Sequence, residues 1–140
     1  PDFIRNSVLV NAQKWLDVDI LTLQHLKFKN IFGLGDVAAL PTAKTGAAIR
    51  KQAPVVVENI LAMIKENKLG HATYDGYSSC PLVTGYGKMV LAEFKYDNVR
   101  DSDPLLSKFI DTSKEKWSMW ILKKYGLPYL YWNKMMKGKM

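Results

Sequence analysis

An apolar run that closes on glycine and aspartate, Ile31-Phe32-Gly33-Leu34-Gly35-Asp36, followed by Pro41-Thr42 and then by a long stretch of helical periodicity, constrains this chain more than any other feature. A short continuous apolar run suits a buried strand, here reaching from about Leu23 and delivering Gly35 and Asp36 to its C-terminal end. From about Thr42 to Asn67 the positions Ala48, Ile49, Ala53, Val56, Val57, Ile60, Leu61 and Ile64 recur at helical spacing, with Lys51, Glu58, Lys65 and Glu66 outside the stripe. Strand, turn and helix in that order predict an α/β fold. Pro54 is expected to kink the helix or divide it in two, because its ring nitrogen has no hydrogen to give an interior turn.

Beyond Gly70 a polar connection leads to Tyr77-Ser78-Ser79-Cys80-Pro81-Leu82-Val83. Val90, Ala92, Phe94 and Tyr96 then alternate with Met89, Leu91, Glu93 and Lys95, the pattern of a strand. Residues 97–111, with Pro104, read as a loop, and Thr112-Ser113-Lys114-Glu115 has the spacing of a capping box that opens a new helix. Trp117, Trp120, Ile121 and Tyr125 mark one face of that helix. Gly126 and Pro128 are expected to end it before a second aromatic stretch, Tyr129, Leu130, Tyr131 and Trp132. Neither apolar segment reaches the ~20 residues that a membrane-spanning helix needs.

At 140 residues the chain can bury one modest core, and its charge divides it into a body, 1–112, and a tail, 113–140. The tail carries seven lysines against the single acid Glu115, whereas the body is nearly balanced with thirteen basic and twelve acidic residues. Three of the four tryptophans, Trp117, Trp120 and Trp132, lie in the tail. Two readings stand: a lysine-rich helix docked on its own domain, or a surface that meets anionic lipid. The chain opens on Pro1, with no basic n-region and apolar run before a cleavage site, and so reads as an excised or partial chain, any targeting segment of which would lie upstream. A single cysteine excludes a disulfide-stapled secreted module and leaves Cys80 structural, spare or chemical. His25 and His71 have no ligand spacing to it, so no metal site is expected.

Gly33-Leu34-Gly35-Asp36-Val37-Ala38 formally fits the dinucleotide-binding pattern G-x-G-x-x-G/A, but such a loop should open its helix at once, and here Leu40-Pro41-Thr42 intervenes. A phosphate-binding loop before Lys44-Thr45 fails because Ala38 and Ala43 occupy both glycine positions. A strand that ends in Gly-Asp before a turn and a helix fits the later half of a flavin-binding domain better. Gly35 permits close approach to the ligand, and the Asp36 carboxylate can accept hydrogen bonds from ribityl hydroxyls.

Taken together, Asn30-Ile31-Phe32-Gly33-Leu34-Gly35-Asp36, Lys44-Thr45-Gly46 and the block from Tyr74 to Tyr86 around Cys80-Pro81 resemble the C-terminal part of the mitochondrial-type sulfide:quinone oxidoreductases. The resemblance extends to Trp15, Val18-Asp19, Leu23-Gln24-His25 and Leu130-Tyr131-Trp132-Asn133. It implies the C-terminal portion of a flavoprotein with two dinucleotide-binding domains and an amphipathic helical tail. It further implies FAD held by Gly35 and Asp36, with Lys44 and Thr45 near the flavin ring at a helix start. Cys80 would be one of two redox cysteines, taking up sulfur from hydrogen sulfide as a persulfide and passing it to a small thiol or another sulfane-sulfur acceptor. The implied electron acceptor is a membrane quinone. The implied site is the mitochondrial inner membrane, held peripherally or monotopically through Trp117, Trp120, Tyr129 and Trp132. The partner cysteine and the upstream glycine loop are absent from this sequence, so the chain alone is expected to be inactive.

Two rival readings remain. A related membrane flavoprotein, such as an alternative NADH:quinone oxidoreductase, would leave Cys80 without a task. A non-catalytic basic membrane-binding domain would rest on the tail charge. No nucleic-acid partner is expected, since no recognisable nucleic-acid fold accompanies the lysines.

Overall fold

The computed structural model describes residues 1–101, 111–112 and 114–139. Most of the loop expected around Pro104, and Ser113 of the expected cap, lie outside the described residues. The elements in chain order are α1 (Asp2–Arg5), a 3-10 turn at Gly35–Val37, α2 (Gly46–Glu66), the strands β1 (Ser78–Gly85) and β2 (Lys88–Phe94), a 3-10 turn at Tyr96–Asn98, α3 (Trp117–Ile121), a π-helical turn at Leu122–Gly126, α4 (Leu127–Asn133) and a last 3-10 turn at Met135–Lys137. They form two compact units, Pro1–Ser78 with Lys95–Asn98, and Ser79–Phe94 with Val99–Met140. This is a small α/β architecture whose sheet, among the described residues, is the β1–β2 pair.

The first unit is organised by α2, which starts later than its periodicity implies. Thr45 caps it, its hydroxyl accepting from the Ala48 amide at 3.2 Å, and Asn67 closes it in the left-handed region with its own amide donating to Met63 O. The helix does not divide at Pro54; it runs unbroken through 21 residues. Its buried face is also rotated from the expected one. Ala48, Gln52, Val55, Val56 and Asn59 are buried, while Val57, Leu61 and Ile64 of the expected stripe are exposed. Two amides therefore lie where an apolar pattern is blind to them. Asn59 Nδ2 donates to the carbonyls of Thr22 and Ala72, both at 3.0 Å, and so fastens two irregular segments to the helix.

Val55 and Val56 pack with Leu23 and Tyr74 in one core cluster, flanked by Phe32, Leu34 and Tyr96; Leu16, Val18 and Ala38 form a second. Burial raises the pKa of both Tyr74 and Tyr96, whose hydroxyls donate to the carbonyls of Tyr77 and Ile20. The strand expected to end at Asp36 is not part of a sheet. Phe32 makes one isolated antiparallel bridge with Gln24, flanked by hydrogen bonds from Gly33 N to Leu23 O and from His25 N to Ile31 O. The extended path then ends because Gly35 adopts φ +73°, which turns the chain into the Gly35–Val37 turn.

The second unit is built on the β1–β2 hairpin, whose turn holds Gly87 at φ +70° with Trp117 close against it. The buried side chains of β2 are Met89 and Glu93, the face opposite to Val90, Ala92 and Phe94, and Tyr96 lies beyond the strand. The capping box expected at 112–115 does not open a helix. Thr112 and Lys116 bond to β2 instead, with Leu91 N donating to Thr112 O and Lys116 N to Met89 O, both at 3.1 Å. α3 therefore begins at Trp117, after an extended Lys116 with no side-chain cap.

Gly126 and Pro128 do not end the helical run, which passes from α3 through the π-helical turn into α4. A proline in an α-turn clashes with the carbonyl four residues earlier, and a widened turn gives its ring room. No described helix is long and apolar enough to cross a membrane.

Candidate functional site

Gly35, Asp36, Lys44 and Thr45 are brought together in the first unit by hydrogen bonds that the backbone could not make alone. The Gly35 amide donates to Oε1 of the buried Gln52 at 2.7 Å, which pins the Gly35–Val37 turn beside the first turns of α2. Lys44 clamps the same turn from outside: its ammonium donates to the carbonyls of Asp36 and Ala38, both at 2.8 Å, and lies 4.1 Å from the centre of the Trp15 ring. Desolvation pulls the Lys44 pKa below its ordinary value, and the Asp36 charge opposes that shift. The Lys44 ammonium is thus engaged by backbone and by an indole. Thr45 is the N-cap of α2.

The Asp36 side chain is exposed. Beside it lies an open hollow of about 400 Å³ that Arg5, Lys14, Trp15 and Val37 help to line, and Trp15 and Lys44 also border a second hollow of about 300 Å³. The start of α2 is open, with nothing near the position a Gly46 side chain would take and no acid in the helix's first turn. The positive end of a 21-residue helix therefore stands uncompensated, a setting that favours an anionic group. An exposed carboxylate on a turn, a hollow next to it and an uncompensated helix start form a donor and acceptor set that suits the ribityl and ring portions of a flavin.

A buried polar chain extends from the turn. Gln52 and Thr42 both hydrogen-bond Tyr74, whose hydroxyl reaches Tyr77 O at 2.6 Å, while the Thr42 hydroxyl donates to Gly76 O at 2.7 Å. The backbone of Gly76 and Tyr77, which leads into β1, is thereby held by the same residues that hold Gly35.

Cys80 lies in the second unit, half-buried in β1 and not in a disulfide. Cys80 and Pro81 both continue the strand, where proline is tolerated because a hairpin strand has a free edge. Pro81 O accepts from the Lys123 ammonium at 2.6 Å.

Of the tail aromatics, Trp117, Tyr125, Tyr129, Tyr131 and Trp132 are exposed. Trp120 is half-buried with its ring 5.4 Å from that of Tyr86. His25 is buried and spent on the backbone: Nε2 bonds Leu9 O at 3.0 Å, and Nδ1 accepts from the amides of Lys27 and Phe28. Sequence reasoning missed Gln52 and Lys123. The signal for Gln52 is its place four residues from Ala48 and seven from Asn59, on the face that proves to be buried; Lys123 reads only as one of seven tail lysines.

No protein-family model matches the chain. Three curated proteins named mitochondrial sulfide:quinone oxidoreductase are similar to it over nearly its whole length: 43% identical to that of Mus musculus over 99% of the chain, 47% to that of Dictyostelium discoideum over 97%, and 44% to that of Schizosaccharomyces pombe over 94%. The chain spans 30%, 29% and 29% of those relatives' lengths. Among solved structures, it is similar to a chain in the cryo-EM composite model of the Tetrahymena thermophila mitochondrial ATP synthase F1Fo tetramer. That likeness has a TM-score of 0.78 at 33% identity, over 94% of this chain and 31% of the other. The resemblance read from the Gly-Asp and Cys-Pro blocks thus extends along almost all of the sequence.

Proposed function

We infer that this chain belongs to the sulfide:quinone oxidoreductase family as the C-terminal part of a longer mitochondrial flavoenzyme, one that oxidises hydrogen sulfide and reduces a membrane quinone. The observation that carries this reading is the likeness to three such proteins over 94–99% of the chain, a span that contains Gly35-Asp36 and Cys80-Pro81.

In this reading Gly35 and Asp36 would hold the ribityl chain of FAD, and Thr45 would place the start of α2 near its ring, where a positive helix end would favour negative charge. Lys44 supports the turn through its two carbonyl contacts. Bound FAD supplies a two-electron relay between the cysteines and the quinone. Cys80 begins in a disulfide with a second cysteine outside this chain. Hydrogen sulfide attacks the Cys80 sulfur, the disulfide bond breaks as the new sulfur–sulfur bond forms, and the other cysteine leaves as a thiolate. A small thiol then removes the outer sulfur from Cys80. The exposed tail aromatics Trp117, Tyr129 and Trp132 seat the enzyme at the lipid interface, with Trp120 at their inner side.

The test is Cys80→Ser in the complete protein. Serine preserves size and removes the thiolate, so flavin should stay bound while sulfide-dependent quinone reduction is lost. Near-normal sulfide oxidation by the variant would defeat the assignment. The likeness to a chain of a mitochondrial ATP synthase assembly supports a second reading, in which the fold is kept as a non-catalytic component of a membrane complex. A purified complete protein without flavin absorbance or sulfide-dependent quinone reduction would favour it.

A further inference from the structure

Lys123 stands apart from the other tail lysines because its ammonium is spent inside the protein. It is half-buried, it sits in the π-helical turn Leu122–Gly126, and it donates to Pro81 O at 2.6 Å across 42 residues of sequence. Widened helical turns of this kind gather at functional sites. The carbonyl it holds belongs to the residue after Cys80, so covalent geometry keeps the ammonium within about 10 Å of the thiol. The helix that presents Lys123 is itself fixed to the hairpin. Lys116 pairs with Met89 of β2, Trp117 lies against Gly87, and the Trp120 ring meets that of Tyr86. The lysine therefore meets Pro81 from a docked base, and little order is lost in making the bond.

We propose that Lys123 is a positioning residue for Cys80, holding the Cys80-Pro81 backbone in its strand and setting a fixed positive charge within about 10 Å of the thiol. This rests on the reading of Cys80 as the sulfur-accepting residue. The reactive form of cysteine is the thiolate, and a cation held nearby favours it. The helical tail then has a second task besides meeting a membrane: it sets the reactivity of the redox cysteine.

The test measures alkylation of Cys80 by iodoacetamide in the reduced, complete protein at pH 7 and low salt, followed by mass spectrometry of the Cys80 peptide. Lys123→Gln keeps a donor but loses the charge; Lys123→Met loses both; Lys123→Arg keeps both. Alkylation should slow roughly three- to tenfold in K123Q and at least as much in K123M, and stay within about twofold of wild type in K123R, as expected for one charge acting over this distance. Added salt should narrow the gap between wild type and K123Q.

Equal rates in wild type, K123Q and K123M would overturn the proposal. So would a loss shared by K123R together with a lowered melting temperature, since that marks a residue needed only for packing. The Cys80→Ser assay reports separately: retained sulfide oxidation in that variant with slowed alkylation in K123Q would defeat the function and leave the role of Lys123 intact.

Discussion

At the scale of single residues, the hydrogen-bonded side chains that shape the first unit are polar and partly hidden. Gln52→Leu should leave the Gly35 amide without its acceptor, at about 1–3 kcal/mol, the range for a buried donor left unsatisfied. Flavin affinity of the complete protein should fall as well, because the turn that carries Asp36 loses its inner anchor; titration with FAD and thermal melting read the two effects. Melting that falls while FAD affinity holds would confine Gln52 to structure. Asp19 accepts from the amides of Thr22 and Leu21 and from the Thr22 hydroxyl. The Thr22 amide does most to hold its carboxyl below the ordinary 3.8, with burial acting the other way. A depressed carboxylate stabilises the fold above pH 3.8 and loses that contribution as pH falls through its lower folded value. Asp19→Asn should therefore cost less than about 1 kcal/mol at neutral pH, since the site is partly solvated, and the gap to wild type should close in strong acid. Melting temperatures that differ equally at pH 7 and at acid pH would show that the charge of Asp19 contributes nothing. Gly35, Asp36 and Cys80 could be picked out as candidates from the sequence because glycine, aspartate and cysteine bring chemistry that few other residues supply. Gln52 was not, because an amide on a helix reads as solvated until its neighbours in space are known.

Among the elements, the sequence located α2 and a strand near Met89, and it misjudged which face of α2 is buried. Apolar periodicity assumes that the buried stripe is apolar. In α2 the buried stripe contains Gln52 and Asn59, so the apolar residues Val57, Leu61 and Ile64 are displaced to the exposed side. The capping signal at Thr112 and Glu115 lost to non-local pairing with β2, a contact that a local motif cannot register. Pro54 is exposed within an unbroken helix, where the missing amide still removes one backbone hydrogen bond. Pro54→Ala should accordingly raise stability by about 1–3 kcal/mol, the difference in helix propensity reduced by the larger freedom of the unfolded chain. Unchanged melting would mean that the helix has absorbed the proline by local adjustment.

Considered whole, the chain carries its aromatic tail as part of the unit that contains Cys80, since residues 79–94 cluster with 99–140. Removing the tail would therefore strip β2 of its pairing with Lys116 and could not separate membrane contact from folding. Substitution at exposed positions can. Trp117, Tyr129 and Trp132 are 66%, 59% and 63% exposed, and the lysines at 124, 134, 137 and 139 are exposed as well. Aromatic rings favour the lipid interface, and lysines near an anionic surface each add attraction that salt screens. Replacing Tyr129 and Trp132 together by serine, with Trp117 left in place against Gly87, should lower binding to anionic liposomes markedly with little change in melting temperature. In the wild type, high salt should weaken binding only in part, because insertion of apolar surface survives screening. Liposome binding that is equal in the variant and the wild type, and abolished by salt in both, would reduce the tail to a cationic patch and remove the aromatics from the membrane contact.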